Sequence, residues 1–201
     1  MIMNKESYML RLWKSFVAVS LLCASAASSA LEVGNSLPAL EVPSRGELKL
    51  NGDDVRFEPW STQQIDAGSP VLIFHMAARM SSDSIIAPLR ERLDNGSYAP
   101  DSFQSVSVVN LDDALWGTQG LVTSELAKNK RAHPQAVLVA DDEGRGLKAW
   151  SLAPKGVAVI LLDTNGKIRM LKEGKLSAED VDSIVAALDE EISKSEQLAK
   201  N

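Results

Sequence analysis

Four side chains with acid–base chemistry follow two apolar runs in this 201-residue chain. His75 and Arg79 come after Val71–Phe74, and Asp112 and Asp113 close Ser105–Leu111. An aspartate that orients an imidazole makes it a general base, and a guanidinium clamps an anion bidentately. If the two runs are parallel strands, these residues and Asn110 share the carboxyl end of a sheet, where open α/β sheets place a ligand crevice. The same residue types also hold loops together, with Arg79 paired to Asp112 or Asp113 and with Asn110 and Asp112 capping turns. That bland reading is the commoner one for such a cluster. Two metal sets are conceivable by residue type: His75 with both aspartates for a weak divalent ion, and His75 with Met76 and Met80 for copper(I). His75 and Met76 are successive residues and point to opposite faces of a strand. No metal or cofactor is therefore expected, and Met76 is assigned to the core.

The one cysteine, Cys23, lies in a segment that does not read as part of the domain. Lys5, Arg11 and Lys14 precede an apolar run, Phe16–Ala24, that is too short to span a bilayer. Small residues then lead to Ser28-Ser29-Ala30, which predicts a cleavable signal peptide over 1–30 and a periplasmic protein without a membrane anchor. A cut at Ala24-Ser25-Ala26 is the alternative. Cleavage after Ala30 removes three cations and one anion, taking the formal charge from −6 to −8. It also leaves no cysteine, so neither thiol–disulfide exchange nor cysteine peroxidase chemistry is open to the mature chain. An acidic chain with scattered Trp60, Trp116 and Trp150 offers neither a basic footprint nor a stacking platform for nucleic acid. No Gly-x-x-x-x-Gly-Lys phosphate cradle is present either.

Leu31–Pro43 reads as an extended lead-in because Pro38 and Pro43 bar a helix. Glu47–Leu50 and Val55–Trp60 read as a hairpin across Asn51-Gly52. Val71–Phe74, Ser105–Leu111, Ala136–Ala140 and Val157–Leu162 read as buried strands, the last forming a hairpin with Lys167–Leu171. His75–Ser82 is expected to be a polar loop. Helices are predicted over 83–93, 121–131 and from Ser177 onward. The last carries an apolar stripe of Val181, Ile184, Val185, Leu188 and Ile192, with a frayed tail after Ser193. The order predicts one α/β domain over 31–201: a mixed central sheet flanked by helices, with an N-terminal β-hairpin extension.

The stretch VLIFHMAARMSSDSIIAPL (71–89) resembles the centre of a thioredoxin-like fold of the TlpA or peroxiredoxin-like branch. Met80-Ser81-Ser82-Asp83 stands where that branch carries Cys-x-x-Cys, and Pro88 falls on its helix proline. VAVILLDTNGKI (157–168) resembles the second landmark, with Val157 at the cis-proline position. The chain further resembles the YtfJ family, through residues 44–48, His75-Met76-Ala77-Ala78-Arg79, Val109–Ala114 and Asp163–Ile168. The resemblance implies a scaffold that has lost its redox residues. The expected function is thus a redox-inactive binding or accessory module for a periplasmic protein or small ligand. Binding is expected around Met80, Asp83, Asn110 and Trp116. The alternative is a hydrolase-type enzyme, with or without a metal, using His75, Arg79, Asp112 and Asp113.

Overall fold

The computed structural model describes residues 30–200 apart from Asp53 and Ala67, so the signal peptide expected over 1–30 lies outside the described residues except for Ala30. Seven strands form one sheet in the order β2-β1-β5-β4-β3-β6-β7. These are β1 (Glu41–Asn51), β2 (Asp54–Ser61), β3 (Val71–Ala77), β4 (Gln104–Asn110), β5 (Val137–Asp141), β6 (Val157–Leu162) and β7 (Ile168–Glu173). The helices are α1 (Met80–Asp94), α2 (Gln119–Ala132), α3 (Arg145–Ala149) and α4 (Ala178–Leu198). Strands β3, β4 and β5 run parallel, and β1, β6 and β7 pair antiparallel to their neighbours. The expected mixed sheet is present, and the N-terminal hairpin is part of it because β1 pairs with β5.

Period-two alternation sorts the central strands onto two cores. Leu72, Phe74, Val157, Val159 and Leu161 pack under α1 and α4, against Ile86, Leu89, Ile184 and Leu188. Val109, Leu138 and Ala140 continue that face under Leu126 of α2. The opposite face carries Val71, Ile73, Val106, Val108, Val139 and Ile160, and it is covered by Trp150, Leu152 and the chain from Leu31 to Leu40. That N-terminal strap is held by backbone bonds from Gly34 to Ile168 and from Ile168 to Asn35.

Several boundaries differ from the sequence reading, each for a local reason. Strand β3 runs on through His75, Met76 and Ala77, because both neighbours stay hydrogen-bonded to it up to Met76, and β4 up to Ala77. His75 is therefore a strand residue, and the expected loop shrinks to Ala78-Arg79. Helix α1 starts at Met80 instead of 83 and retains Pro88 inside it. Helix α4 begins with the expected capping box, in which Ser177 Oγ accepts from Asp180 N and the Asp180 carboxylate accepts from Ser177 N. Lys172 and Ser177 hold the Asp180 carboxyl down at about 2. The tail after Ser193 continues as helix to Leu198. Its buried Glu191 accepts from Arg169 Nε at 3.2 Å and Lys194 Nζ at 2.9 Å, which ties the helix to β7. Helix α3 had no counterpart in the sequence reading.

Candidate functional site

The carboxyl ends of β3, β4 and β5 lie side by side, so the expected gathering of polar residues is largely real. Its members divide by face. His75, Asn110 and Asp141 stand on the face covered by α3, while Arg79, Met80 and Asp83 belong to the turn into α1 on the other. His75 is 2% exposed. Its ring meets Trp150 edge-on at a centroid distance of 6.0 Å. A Cβ built on Gly146 would stand 3.3 Å from His75 Nε2, so α3 closes on the ring where only a glycine fits comfortably. Nε2 is sealed without a hydrogen-bond partner.

Burial pushes the His75 pKa down from 6.5 to about 4, against the opposing pull of the Asp141 and Asp113 carboxylates. The imidazole is thus neutral at pH 7. No hydrogen bond joins it to Asp112 or Asp113 among the described residues. A general base needs its nitrogen within reach of a substrate proton. Here Gly146 and Trp150 occupy that approach.

Asp113 instead stitches loops. Its Oδ2 accepts from Asn110 Nδ2 at 3.0 Å and from Lys155 N at 2.9 Å. Asn110 Oδ1 in turn accepts from Asp112 N at 3.0 Å, the turn-capping role expected for it. Asp112 itself is exposed. Arg79 makes no ion pair with either aspartate among the described residues, and its Nε is buried without a partner. Asp83 pairs with Arg90 on the exposed side of α1 at 2.9 Å. Among the described residues no group of three His, Cys, Asp or Glu side chains comes together as a metal site. A cleft of about 610 Å³ lies elsewhere, between the end of α1 and α4, lined in part by Arg92, Tyr98 and Asp189.

Three residues of this region were not singled out from the sequence. Asp141 is fully buried, and its carboxylate accepts from Arg145 N at 3.0 Å and Gly146 N at 2.8 Å, fixing the start of α3. Gly146 and Trp150 then set the ceiling over His75, and Trp150 Nε1 donates to Pro38 O at 3.0 Å. The available signal was a strand-ending aspartate followed by Gly144-x-Gly146, a cap joined to a close approach. Asp113→Ala is expected to release Asn110 and Lys155 N together and to lower stability by about 1–3 kcal/mol, measured by urea unfolding. A variant as stable as the parent would remove Asp113 from the loop network.

The family model for YtfJ_HI0045, described as a bacterial protein of unknown function, matches residues 31–191. The chain belongs to the YtfJ family. An uncharacterised Haemophilus influenzae protein is 32% identical over 156 residues, covering 78% of this chain and 84% of that one. The uncharacterised Escherichia coli protein YtfJ is 31% identical over 163 residues, 81% and 88% of the two chains. Among solved structures, a thiol peroxidase from Chromobacterium violaceum superposes with a TM-score of 0.52 at 15% identity, covering 81% of this chain and 88% of that one. The fold of this YtfJ-family chain is thioredoxin-like.

One further group completes the carboxyl end. Trp116 is 100% exposed, between Leu115 at 59% and Leu121 at 74%, and Met80 at the start of α1 is 92% exposed. The loop of Trp116 leaves β4 while Met80 follows β3, and these two strands are hydrogen-bonded through Ala77 and Asn110.

Proposed function

We propose that this protein is a redox-inactive, thioredoxin-fold binding module of the bacterial periplasm, which docks a partner protein through the apolar loop at the carboxyl end of its sheet. The observation that carries this reading is Trp116, a fully exposed tryptophan preceded directly by exposed Leu115 and followed five residues on by exposed Leu121. Single exposed apolar residues are ordinary, but tryptophan dominates the energetics of interfaces, and ordering one at an exposed tip has no benefit to the monomer's core. Two sequence features support it. Residues 30–200 contain no cysteine, so the thiol chemistry of thioredoxin-like enzymes has no nucleophile there. The leader ending at Ala30 fits export. Catalysis by the His75 cluster has less support, since the ring is covered and Asp113 is engaged by two donors.

Photocrosslinking in living cells tests the proposal. A crosslinking amino acid at position 116 should trap one reproducible partner, whereas the same group at Asn165, at the opposite end of the sheet, should not. Trp116→Ala should stay within about 0.5 kcal/mol of the parent in stability. It should weaken the recovered complex by about 2 kcal/mol, or roughly thirtyfold in affinity. Equal yields at 116 and 165 would sink the proposal.

A further inference from the structure

Sulfur occurs in residues 30–200 only as methionine, at Met76, Met80 and Met170. Their surroundings differ sharply. Met76 and Met170 are half-buried, Met76 packed between the α1/α4 and α2 cores and Met170 against the first of these. Met80 is 92% exposed, as the first residue of the fifteen-residue α1. Ahead of it, Arg79 offers the helix no side-chain cap, and the Arg79 Nε has no hydrogen-bond partner.

We propose that Met80 is a reversible oxidation site, whose sulfoxide is accommodated by the start of α1 without loss of the fold. The oxidant class is a hydroperoxide. The thioether sulfur attacks the protonated peroxide oxygen, and the O–O bond breaks as an S–O bond forms. The departing oxygen takes up the proton that the transferred oxygen gives up, leaving as water from hydrogen peroxide or as an alcohol from an organic hydroperoxide. Sulfur gives up two electrons and the peroxide accepts them. Reduction by a dithiol reverses this: the dithiol becomes a disulfide, and the sulfoxide oxygen leaves as water. Reactivity follows exposure, which separates Met80 from its two half-buried counterparts.

The product also suits its place. A sulfoxide oxygen carries partial negative charge and accepts hydrogen bonds, and a helix start presents unpaired N–H groups and a positive dipole end. The same oxygen on Met76 or Met170 would stand partly among apolar side chains of the cores, which opposes its formation there. Oxidation thus changes one side chain of the exposed apolar group from apolar to polar. The inference does not depend on whether that group binds a partner.

The test is limited hydrogen peroxide treatment of the purified protein, followed by peptide mass mapping and thermal unfolding. Met80 should gain one oxygen about tenfold faster than Met76 or Met170. The singly oxidised protein should keep its Tm or raise it, and methionine sulfoxide reductase with a dithiol should restore the original mass. Met80→Leu should abolish the fast phase, and Met80→Gln, a permanently polar substitute, should fold with an unchanged or higher Tm. The proposal is overturned if Met76 or Met170 oxidises as fast as Met80. A fall in Tm on single oxidation at Met80, or a mass the reductase does not restore, overturns it equally.

Discussion

Replacing Gly46 by alanine should destabilise the protein by about 2–5 kcal/mol, read as a lower urea midpoint at unchanged m-value. Gly46 sits at φ +77°, directly after Arg45 at φ +57°. These two left-handed residues let β1 bulge between Val42, which faces Trp60, and Glu47, which faces Glu58. A Cβ on Gly46 would stand 2.1 Å from the backbone oxygen of Glu58 and 2.9 Å from the nitrogen of Trp60. Backbone atoms within the β1–β2 pairing have no rotamer by which to retreat. The left-handed conformation costs alanine about 1–2 kcal/mol, and the forced shift adds about 1–3 kcal/mol by analogy with overpacked cores. The bulge also aims Arg45 at Thr123 Oγ1, 3.2 Å away in α2, and over the Phe57 ring at 5.5 Å. Weakening it should therefore loosen α2 as well as the hairpin. A Gly46→Ala protein within 1 kcal/mol of the parent, on the scale expected of an unremarkable substitution, would refute this account.

Acidification should produce the second large effect, through His75. Its pKa is about 4 in the folded protein and 6.5 when solvated. Between those values the unfolded chain binds a proton that the native state refuses. Stability is therefore fully present above pH 6.5, falls as the pH drops toward 4, and levels off with respect to this group below it. The loss across that window is about 3 kcal/mol for one such histidine. The charged groups acting on the ring are Asp141, at the end of β5, and Asp113, beyond β4; α3 contributes Gly146, and Trp150 follows directly after it. His75→Phe keeps a flat ring beneath Trp150 but cannot titrate. Its stability should vary by about 1 kcal/mol or less over pH 4–6.5, leaving only the contributions of the carboxylates. Parallel pH profiles for the two proteins would show that His75 is not the titrating group.

The fold was legible where pattern and geometry coincide. Val71–Phe74 and Val157–Leu162 read as doubly buried strands because parallel and central strands are apolar on both sides. Ser177 with Asp180 announced α4, because a capping box satisfies its amides locally. The strand through His75 was less legible, since a polar residue after four apolar ones looks like an exit from the core. Only the tertiary cover of Trp150 makes that imidazole a buried residue. Helix α3 escaped notice for a related reason: five residues are too few to form a helix alone, and Gly146 weakens them further. Asp141 and the ceiling over His75 hold them in place. At the candidate site, residue types and their common end of the sheet were readable, but side-chain direction was not. Two faces of one sheet separate His75 from Arg79, although only three residues lie between them in sequence.

The strap from Leu31 to Leu40 would also constrain the order of events if the leader proposed above is cleaved. Leu31 is 8% exposed and packs into the core under Trp150, and Gly34 and Asn35 are already bonded to Ile168. A peptidase must draw several residues on each side of the scissile bond into an extended, accessible form. With cleavage after Ala30, the bond to be cut is the one that joins Ala30 to the docked core residue Leu31. Processing of the proposed leader must then come before the strap docks, so that it acts on an unfolded or partly folded chain, and folding afterward conceals the new amino terminus from further trimming.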